Sequence, residues 1–324
     1  LRHPLPHSYP VCGNSDLKQS SSQKQDDSEA EPKFVMGEPI PLPAALLEQY
    51  DYLEYKCFMG VFPEINRAWI TRDNHIFLWN YNDGAGADFV SYDDLDQVII
   101  SAGLCRPKAG VFRDEIQWLL VLATPVDIVI VGMSFEHNSI FGELTLVPTP
   151  LTIPSDNVNI THIRGTVDGR IFLTGRDGNL YELEYQEQDG WFTRKCRKLN
   201  HSQSPLAPYV PSFLRLWKTL PIVDITIDHS RNILYTLSAA LPDEPASSAG
   251  ASRRSSSTPP VITVWDLGEL GNELVRVKTY SSIIADANKN LHSVIGVEDA
   301  IVSIHAIPVT EFTDVHLVAV TRKG

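Results

Sequence analysis

The sequence predicts an all-β protein of the β-propeller class, and three features of the chain carry that prediction. The first is a recurring unit made of a polar turn, a short apolar strand and a closing threonine. The second is an apolar run that is too short for a membrane-spanning helix and rich in branched residues. The third is a spacing between units that is near the length of a propeller blade.

The first part of the chain is expected to be a disordered extension over residues 1–40. Residues 13–33 contain one leucine and no other large apolar side chain, so this stretch cannot bury enough surface to offset its ordering entropy. One short helix is expected after Pro43, because proline suits the first helical position and good helix formers follow it. The propeller is then predicted over residues 41–324.

An apolar run at residues 119–132, LLVLATPVDIVIVG, is expected to form two adjoining strands. Pro125 lacks a backbone N–H and restricts the residue before it, which disfavours one continuous helix. Asp127 is interpreted as a turn residue that bonds a neighbouring backbone N–H or hydroxyl, rather than as a catalytic carboxylate. The alternation of a strand places Val126, Ile128 and Ile130 on one face and Asp127, Val129 and Val131 on the other.

Four units of the chain end an apolar strand in a threonine. They are EIQWLLVLAT to Thr124, DGRIFLT to Thr174, SRNILYT to Thr236 and DVHLVAVT to Thr321, at intervals of 50, 62 and 85 residues. A fifth unit, DNHIFLWNY at residues 73–81, begins in the same way but has Asn80 near the position of the threonine. A two-sheet sandwich is the alternative architecture, although it would not explain a repeated unit.

The longest interval contains an insert at residues 242–260, PDEPASSAGASRRSSSTPP. Its Ser, Ala and Pro content predicts a flexible loop outside the folded body. Ser255 and Ser256 follow two arginines, and this order makes both serines candidate phosphorylation sites for a basophilic kinase. The alternative is a solvated loop without that role.

The segment at residues 204–220, SPLAPYVPSFLRLWKTL, has the spacing of an amphipathic helix. Its proline residues allow a helix only from about Pro211 onward. Arg215 and Lys218 are placed to meet anionic lipid headgroups, which makes the segment a candidate membrane contact. The alternative is that FLRLW is another blade strand, because short apolar runs do not distinguish helix from strand. The membrane-facing residues would be Val210, Phe213, Leu214 and Trp217, at i, i+3, i+4 and i+7.

Composition excludes several classes of function. The net charge of −13 opposes attraction to nucleic-acid phosphates. The four cysteines lie far apart without a C-x-x-C pair, so free thiols in a reducing compartment are expected. No signal peptide is visible at the start of the sequence and no segment is long enough to cross a bilayer, which indicates a cytosolic or nuclear protein.

No catalytic, cofactor-binding or metal-binding residues are predicted. The P-loop, dinucleotide-binding, zinc-helix and nucleophile-elbow motifs are absent from the sequence. His3 and His7 with Cys12 lie in a proline-rich tail that offers no fixed scaffold for a metal. The sequence thus predicts neither an enzyme nor a small-molecule substrate. The aromatic residues of its strands are assigned to blade packing rather than to a ligand-stacking face; they are Trp69, Phe77, Trp79, Trp118 and Phe172.

Three long motifs of the chain resemble one known family. They are CFMGVFPEINRAWITRDNHIFLWNY at residues 57–81, AGLCRPKAGVF at 102–112 and LLVLATPVDIVIVGMSF at 119–135. Together they resemble the N-terminal region of the large scaffold nucleoporins of the inner ring of the nuclear pore complex. In that family a seven-bladed, WD40-like β-propeller precedes an α-helical solenoid. The resemblance runs from about Pro41 to Gly324 without solenoid sequence. An incomplete propeller is expected, because HLVAVTRKG ends where the earlier unit IFLTGRDG is followed by a further strand, NLYELEY.

The resemblance implies a structural role at the nuclear pore complex in the nuclear envelope. Family members bind linker and other scaffold nucleoporins, contact the pore membrane peripherally through an amphipathic propeller loop, support nucleocytoplasmic transport and carry no catalysis. No cofactor and no nucleic acid is implied. A WD40-like adaptor outside the pore is the second hypothesis, and a propeller hydrolase is the third.

Overall fold

The computed structural model describes residues 42–43, 57–82, 89–186, 195–202, 220–239, 259–281, 283, 301–309 and 315–322. Two short 3-10 segments lie in these ranges, at Pro63–Ile65 and Glu136–Asn138. The remaining regular structure of these ranges is almost entirely strand. The strands are β1 (Met59–Phe62), β2 (Arg67–Arg72), β3 (His75–Asn80), β4 (Phe89–Tyr92), β5 (Ser101–Cys105), β6 (Trp118–Ala123), β7 (Asp127–Phe135), β8 (Leu144–Pro154), β9 (Ile160–Gly165), β10 (Ile171–Gly175), β11 (Leu180–Tyr185), β12 (Cys196–Asn200), β13 (Ile222–Asp228), β14 (Ile233–Ser238), β15 (Val261–Asp266), β16 (Val275–Tyr280), β17 (Ile301–Ala306) and β18 (Leu317–Thr321).

These strands form antiparallel sheets in chain order. Sheets A (β1–β4), B (β5–β8), C (β9–β12) and D (β13–β16) are four-stranded, and sheet E is described as β17–β18. The first strands of successive sheets B to E lie side by side, and the outer strand of sheet B contacts those of sheets A and C. Sheets arranged in this way around a shared inner edge form a β-propeller. The predicted fold class is therefore confirmed.

The meander of each blade gives the propeller two distinct ends. Turns between the first and second strands and between the third and fourth strands lie at one end, which we call the hairpin end. Turns between the second and third strands, and the connections from one blade to the next, lie at the opposite end, which we call the crossover end. Strand order thus assigns each turn between described strands to one end.

Apolar side chains fill the spaces between neighbouring blades. One buried cluster joins sheets A and B and includes Trp118, and another joins sheets B and C. A third joins sheets C and D around Phe172, and a fourth joins D and E. Phe77 and Trp79 are buried on a face of sheet A, and Trp69 packs beside the first cluster. The predicted packing role of the five strand aromatics is confirmed.

The run LLVLATPVDIVIVG forms β6, a turn at Pro125 and the start of β7, as predicted. Ile128 and Ile130 face sheet C, and Val129 and Val131 face sheet A. Val126 departs from this alternation, because it lies in the turn and is 52% exposed. The Asp127 backbone bonds the Thr124 hydroxyl, its N–H donating at 2.9 Å and its carbonyl oxygen accepting at 3.0 Å.

The repeated threonine units are the second strands of four blades. Thr124 directly follows β6, Thr174 and Thr236 lie near the ends of β10 and β14, and Thr321 ends β18. The first three threonines are buried. The Thr174 hydroxyl lies 2.8 Å from that of Thr161, and the Thr236 hydroxyl accepts a hydrogen bond from the Trp265 indole. A threonine is suited to this place because it satisfies a polar contact within a branched, buried strand.

The fifth unit at residues 73–81 occupies a different place in its blade from the other four units. It is β3, the third strand of sheet A, whereas the second strand is β2. Asp73, in the left-handed region at φ 52°, begins the turn between these two strands. Thr71 takes the place of the buried threonine, and its hydroxyl accepts a hydrogen bond from the Phe58 N–H at 2.9 Å.

Several predicted segments lie outside the described residues. These are the N-terminal extension, most of the helix after Pro43, most of the insert and nearly all of the segment 204–220. Cys105 and Cys196 are described and are free thiols, as predicted. Among the described residues no helix is long and apolar enough to cross a membrane.

Candidate functional site

An arginine at the start of the second strand joins one blade to the next at three junctions. Arg67 donates from Nη2 to the Gly142 carbonyl oxygen at 3.2 Å, between sheets A and B. Arg170 donates from Nη1 to the Gly271 carbonyl oxygen at 2.8 Å, between sheets C and D. Arg231 donates from Nη1 to the Ile307 carbonyl oxygen at 3.0 Å, between sheets D and E. All three contacts lie at the hairpin end.

Sequence reasoning missed these arginines although their signal is present in the repeat. In DGRIFLT and SRNILYT an arginine follows the turn, and in NRAWIT, at residues 66–71, it does the same. Each arginine precedes the buried threonine by four or five residues. The apolar residues and the threonine of the unit indicate only a strand. The arginine, in contrast, makes the hydrogen bond to the next blade.

The junction between sheets C and D contains a nearly buried ion network. Arg170 binds Glu182 through two hydrogen bonds, Nε to Oε1 at 2.7 Å and Nη2 to Oε2 at 2.9 Å. The His201 Nε2 lies 2.8 Å from Glu182 Oε2. The Arg170 and Glu182 side chains are only 15% and 9% exposed. Burial alone would raise the pKa of Glu182, but the hydrogen bonds from His201 and Arg170 outweigh it and lower the pKa below its ordinary 4.5.

A groove of about 540 Å³ opens beside this network, between sheet C and the turn that joins β15 to β16. This volume lies within the roughly 300–1,000 Å³ of typical ligand sites. Its walls come from turns of the hairpin end and from the outer strands of sheet C. The lining residues are Lys108, Asp168, Gly169, Arg170, Glu182, Leu183, Glu184, Tyr185, Gln186, Arg197, His201, Leu270, Gly271, Asn272 and Leu274.

The turn on the sheet D side of the groove is held by backbone hydrogen bonds. Gly268 and Gly271 adopt φ of 80° and 67°, a conformation that favours glycine. The Glu273 N–H donates to the Leu267 carbonyl oxygen at 2.8 Å, which closes the turn. Arg170 Nη1 also reaches the Glu273 carbonyl oxygen at 2.5 Å. This wall is therefore set in place before any ligand arrives.

The opposite wall joins the hairpin turns of sheets B and C. The Tyr185 hydroxyl donates to the Gly169 carbonyl oxygen at 2.7 Å and accepts a hydrogen bond from the Lys108 N–H at 2.9 Å. Burial raises the pKa of Tyr185 above its ordinary 10.0, so that the hydroxyl keeps its proton and remains a donor. Glu184 and Arg197 form a half-exposed ion pair farther out on this wall.

The groove combines paired charges with an apolar mouth. Among the described residues Lys108 and Asp168 are the groove charges that form no ion pair, and both are exposed. Leu270 at the mouth is 79% exposed, and Leu274 is half-buried. The buried titratable groups are engaged with one another, and the described residues form no group of three metal-ligating side chains. Such an arrangement is suited to recognition of a binding partner.

The sequence-predicted site residues do not belong to this groove. Val210, Phe213, Leu214 and Trp217, as well as Ser255 and Ser256, lie outside the described residues. Strand order nevertheless shows where their segments leave the blades. The segment 204–220 joins β12 to β13, and the insert joins β14 to β15. Both leave from the crossover end.

Comparison with known proteins gives a consistent result. Residues 30–240 match the nucleoporin family profile described as Nup133 N terminal like. The nuclear pore complex protein Nup154 of Drosophila melanogaster is 44% identical over 60% of this chain, and the probable nucleoporin C890.06 of Schizosaccharomyces pombe is 35% identical over 90%. The chain spans only 14% and 21% of the lengths of these two relatives.

A solved structure shares both sequence and fold with the chain. It is the crystal structure of the Chaetomium thermophilum Nup170 N-terminal domain in complex with Nup53, which is 27% identical with a TM-score of 0.71. The similarity covers 87% of this chain and 37% of that one. The relatives are nucleoporins, which confirms the predicted nuclear pore localisation.

Proposed function

The chain belongs to the nucleoporin family described as Nup133 N terminal like, and from this premise we propose that it is a scaffold propeller of the inner ring. In this role it holds linker nucleoporins in place, contacts the pore membrane peripherally and supports nucleocytoplasmic transport. The observation that carries the proposal is the shared propeller of the Chaetomium Nup170 domain, at a TM-score of 0.71 over 87% of the chain.

Binding of a linker nucleoporin is the first component of this function. The Chaetomium domain was solved in complex with Nup53. A propeller suits such binding because its blades form a rigid body with fixed turns at both ends. The acidic net charge of −13 favours partners that carry basic or apolar segments.

Titration calorimetry of the full-length protein with the Nup53-type linker nucleoporin of the same organism tests this component. Saturable binding with a defined stoichiometry is the expected result. Affinity purification from cells supplies the second measurement and should recover inner-ring nucleoporins. Recovery of an unrelated complex, with no linker binding in the calorimeter, would favour the second candidate, a WD40-like adaptor outside the pore.

Peripheral membrane contact is the second component, and it is assigned to the segment 204–220. The apolar residues Val210, Phe213, Leu214 and Trp217 share one helical face, and Arg215 and Lys218 can meet anionic headgroups. A helix of this length is marginal in water and is expected to fold on lipid. The segment leaves from the crossover end, so that contact there keeps the hairpin end away from the bilayer.

Flotation with anionic liposomes of small and large diameter tests the membrane contact. The parent protein should float, more so with small vesicles, and the Phe213→Asp plus Trp217→Asp variant should stay in the dense fractions. Arg253→Ala plus Arg254→Ala in the insert is a control that leaves the apolar face intact. Equal flotation of the parent and the double-aspartate variant would assign the segment to ordinary propeller structure.

Ser255 and Ser256 are proposed as phosphate acceptors of the insert. The two preceding arginines provide the sequence that basophilic kinases prefer and would lie beside the added phosphates. Mass spectrometry of the protein purified from cells should find phosphate on this tryptic region. Its loss after Arg253→Ala plus Arg254→Ala is expected, whereas unchanged phosphorylation would mean that the arginines do not direct the kinase.

A further inference from the structure

Ser91 stands apart from the other exposed hydroxyl groups of the described residues. It lies on β4 and is exposed, and Asp93 and Asp94 follow it at the second and third positions. Both carboxylates are exposed, and so is that of Asp96. The other serines and threonines that the structure describes as exposed lack acidic residues at these two positions; they are Thr145, Thr152, Ser230, Thr279 and Ser281. The acidic sequence after Ser91 therefore distinguishes it from these five residues.

The place of Ser91 in the fold makes it accessible to an enzyme. β4 is the outer strand of sheet A, has four residues and, among the described strands, pairs only with β3. Residues 93–100 follow it without a helix or strand. A short strand at the edge of a sheet opens locally at little cost in free energy. Thr124 also has an acidic residue at the third position, Asp127, but Thr124 is only 2% exposed.

The face of sheet A that bears Ser91 also bears two basic side chains. Ser91 is paired with Phe77, and His75 lies two residues before Phe77 on the same face of β3. Arg72 is paired with His75, and its guanidinium carbon lies 5.9 Å from the centre of the Phe77 ring. Neighbouring strands are about 4.8 Å apart, so a phosphate on Ser91 would lie within reach of the long Arg72 side chain. A phosphate adds a charge of about −1.5 to −2 and three strong acceptor oxygens, which suit an arginine.

An acidophilic protein kinase is the class of enzyme that fits this sequence. A basic groove of such a kinase binds the residues after the acceptor, where Asp93 and Asp94 would complement its positive charge. In the transfer, the Ser91 Oγ bonds to the γ-phosphorus of ATP as the bond between that phosphorus and the bridging oxygen of ADP breaks. The hydroxyl proton passes to the catalytic aspartate of the kinase, and ADP leaves. The two carboxylates thus serve recognition before the transfer, and Arg72 and His75 meet the new charge after it.

We propose that Ser91 is a phosphorylation site for an acidophilic kinase and that Arg72 and His75 hold the phosphate on the outer strand of the first blade. The site is separate from the serines of the insert, where arginines precede the acceptor and a basophilic kinase is expected. The phosphate adds negative charge to a sheet edge that no described strand pairs with beyond β3. Charged edges resist pairing with strands of other chains, so the modification closes this edge to strand addition.

Incubation of the full-length, folded protein with casein kinase II and ATP, followed by site-resolved mass spectrometry, tests the modification. Ser91 should be phosphorylated. Ser28 is the positive control, because Glu31 follows it at the third position within the extension that the sequence predicts to be disordered. Asp93→Asn plus Asp94→Asn should remove the phosphate from Ser91 and leave that on Ser28 unchanged. Both aspartates are exposed, so the double variant should fold.

Two further hydroxyls of the same protein serve as negative controls. Ser230 is exposed but is followed by an arginine, and Thr124 has the acidic residue but is buried; neither should be modified. Phosphate on Ser28 without phosphate on Ser91 in the folded protein overturns the proposal, as does modification of Ser91 only after unfolding in urea. Equal phosphorylation of Ser91 in the parent and in the double-asparagine variant overturns the assignment to an acidophilic kinase.

Removal of the phosphate by alkaline phosphatase tests the role of the two basic side chains. A phosphate engaged by Arg72 is removed from Ser91 more slowly than a free one, so Arg72→Gln should speed the loss by about two- to fivefold, the factor that corresponds to an exposed ion pair. His75→Gln should act in the same direction, and Arg72→Lys, which keeps the charge, should have a smaller effect. The phosphate on Ser28 should be lost at the same rate in every variant. Equal rates at Ser91 in the parent and in Arg72→Gln overturn the assignment of the phosphate to these side chains.

Discussion

The Tyr185 hydroxyl donates a hydrogen bond to the Gly169 carbonyl oxygen at 2.7 Å, and this contact belongs to a chain of contacts across two blades. The same hydroxyl accepts the Lys108 N–H at 2.9 Å, which brings the hairpin turns of sheets B and C together. This junction has no described arginine contact of the kind seen at the other three. Tyr185 of β11 therefore joins sheets B and C, whereas an arginine joins the blades at the other three junctions.

Tyr185→Phe should destabilise the protein by about 1–3 kcal/mol, because it leaves the Lys108 N–H and the Gly169 carbonyl without their shared partner. The ring itself, 4% exposed, would be retained, so the loss reports the hydroxyl alone. Urea denaturation followed by tryptophan fluorescence measures the difference. Tyr280→Phe removes a hydroxyl from an exposed tyrosine and serves as the control. Equal effects of the two substitutions would contradict the bridging role.

Gly169→Ala should be among the most damaging single-methyl additions at the hairpin end. Gly169 has φ of 84°, and a Cβ there would lie 2.4 Å from the Lys108 Cα, which belongs to the backbone and cannot swing away. Gly110→Ala is the matched control, since its φ is 76° but nothing lies within 4 Å of the added carbon. The control should cost only about 1 kcal/mol for its backbone conformation. If both alanine variants melt alike, the turns of sheets B and C are less tightly packed than the distances imply.

The propeller could be predicted because each repeat of its strand unit lies within a short, continuous stretch of sequence. A threonine that closes an apolar strand recurs in the sequence, and Thr124, Thr174 and Thr236 each occupy an equivalent second strand. Residues 73–81 begin like the other units because β3, a third strand, has the same pattern of residues as a second strand. A turn, an apolar run and a polar end do not reveal whether a strand is second or third in its sheet.

The groove could not be predicted, because its residues come from distant parts of the chain. Arg170 and Gly271 are 101 residues apart and meet only when sheets C and D pack together. The register of β11 then decides that Glu182 faces this junction while Tyr181 and Leu183 face sheet B. Sequence reasoning places side chains on a face of a strand, but it does not say which blade that face meets.

Trp118→Ala should destabilise the protein by about 3–5 kcal/mol, the range for a large aromatic removed from a core. Trp118 is 7% exposed in the cluster between sheets A and B, and the Arg106 guanidinium lies 3.7 Å from the centre of its ring. Differential scanning calorimetry measures the effect. Phe141→Ala, at a residue that is 74% exposed, should change the melting temperature little. An unchanged melting temperature for Trp118→Ala, with partner binding lost, would move this tryptophan to an interface.

Glu182 should make the protein less stable in acid. Because its folded pKa lies below the ordinary 4.5, its contribution is fully present above that value and is lost as the pH falls through the lower, folded pKa. Glu182→Gln should therefore be less stable than the parent at about pH 6, and the difference should shrink toward about pH 3. Urea denaturation at a series of pH values measures both curves. A difference that stays constant with pH would mean that the Glu182 charge is not the source of its effect.

The two arginine ion pairs of sheet C should differ sharply in strength. Arg170→Ala leaves the Glu182 carboxylate nearly buried without its bidentate partner and also removes the link to Gly271, so a loss of about 3–5 kcal/mol is expected. Arg197→Ala breaks the pair with Glu184, whose side chains are 47% and 43% exposed, and should cost about 1 kcal/mol or less. Adding salt should weaken the second effect and leave the first almost intact, because buried charges are poorly screened. Chemical denaturation of both variants at low and high salt provides the comparison. Losses of similar size and salt dependence would show that the junction between sheets C and D is solvated, and that the groove wall is not held as rigidly as its hydrogen bonds indicate.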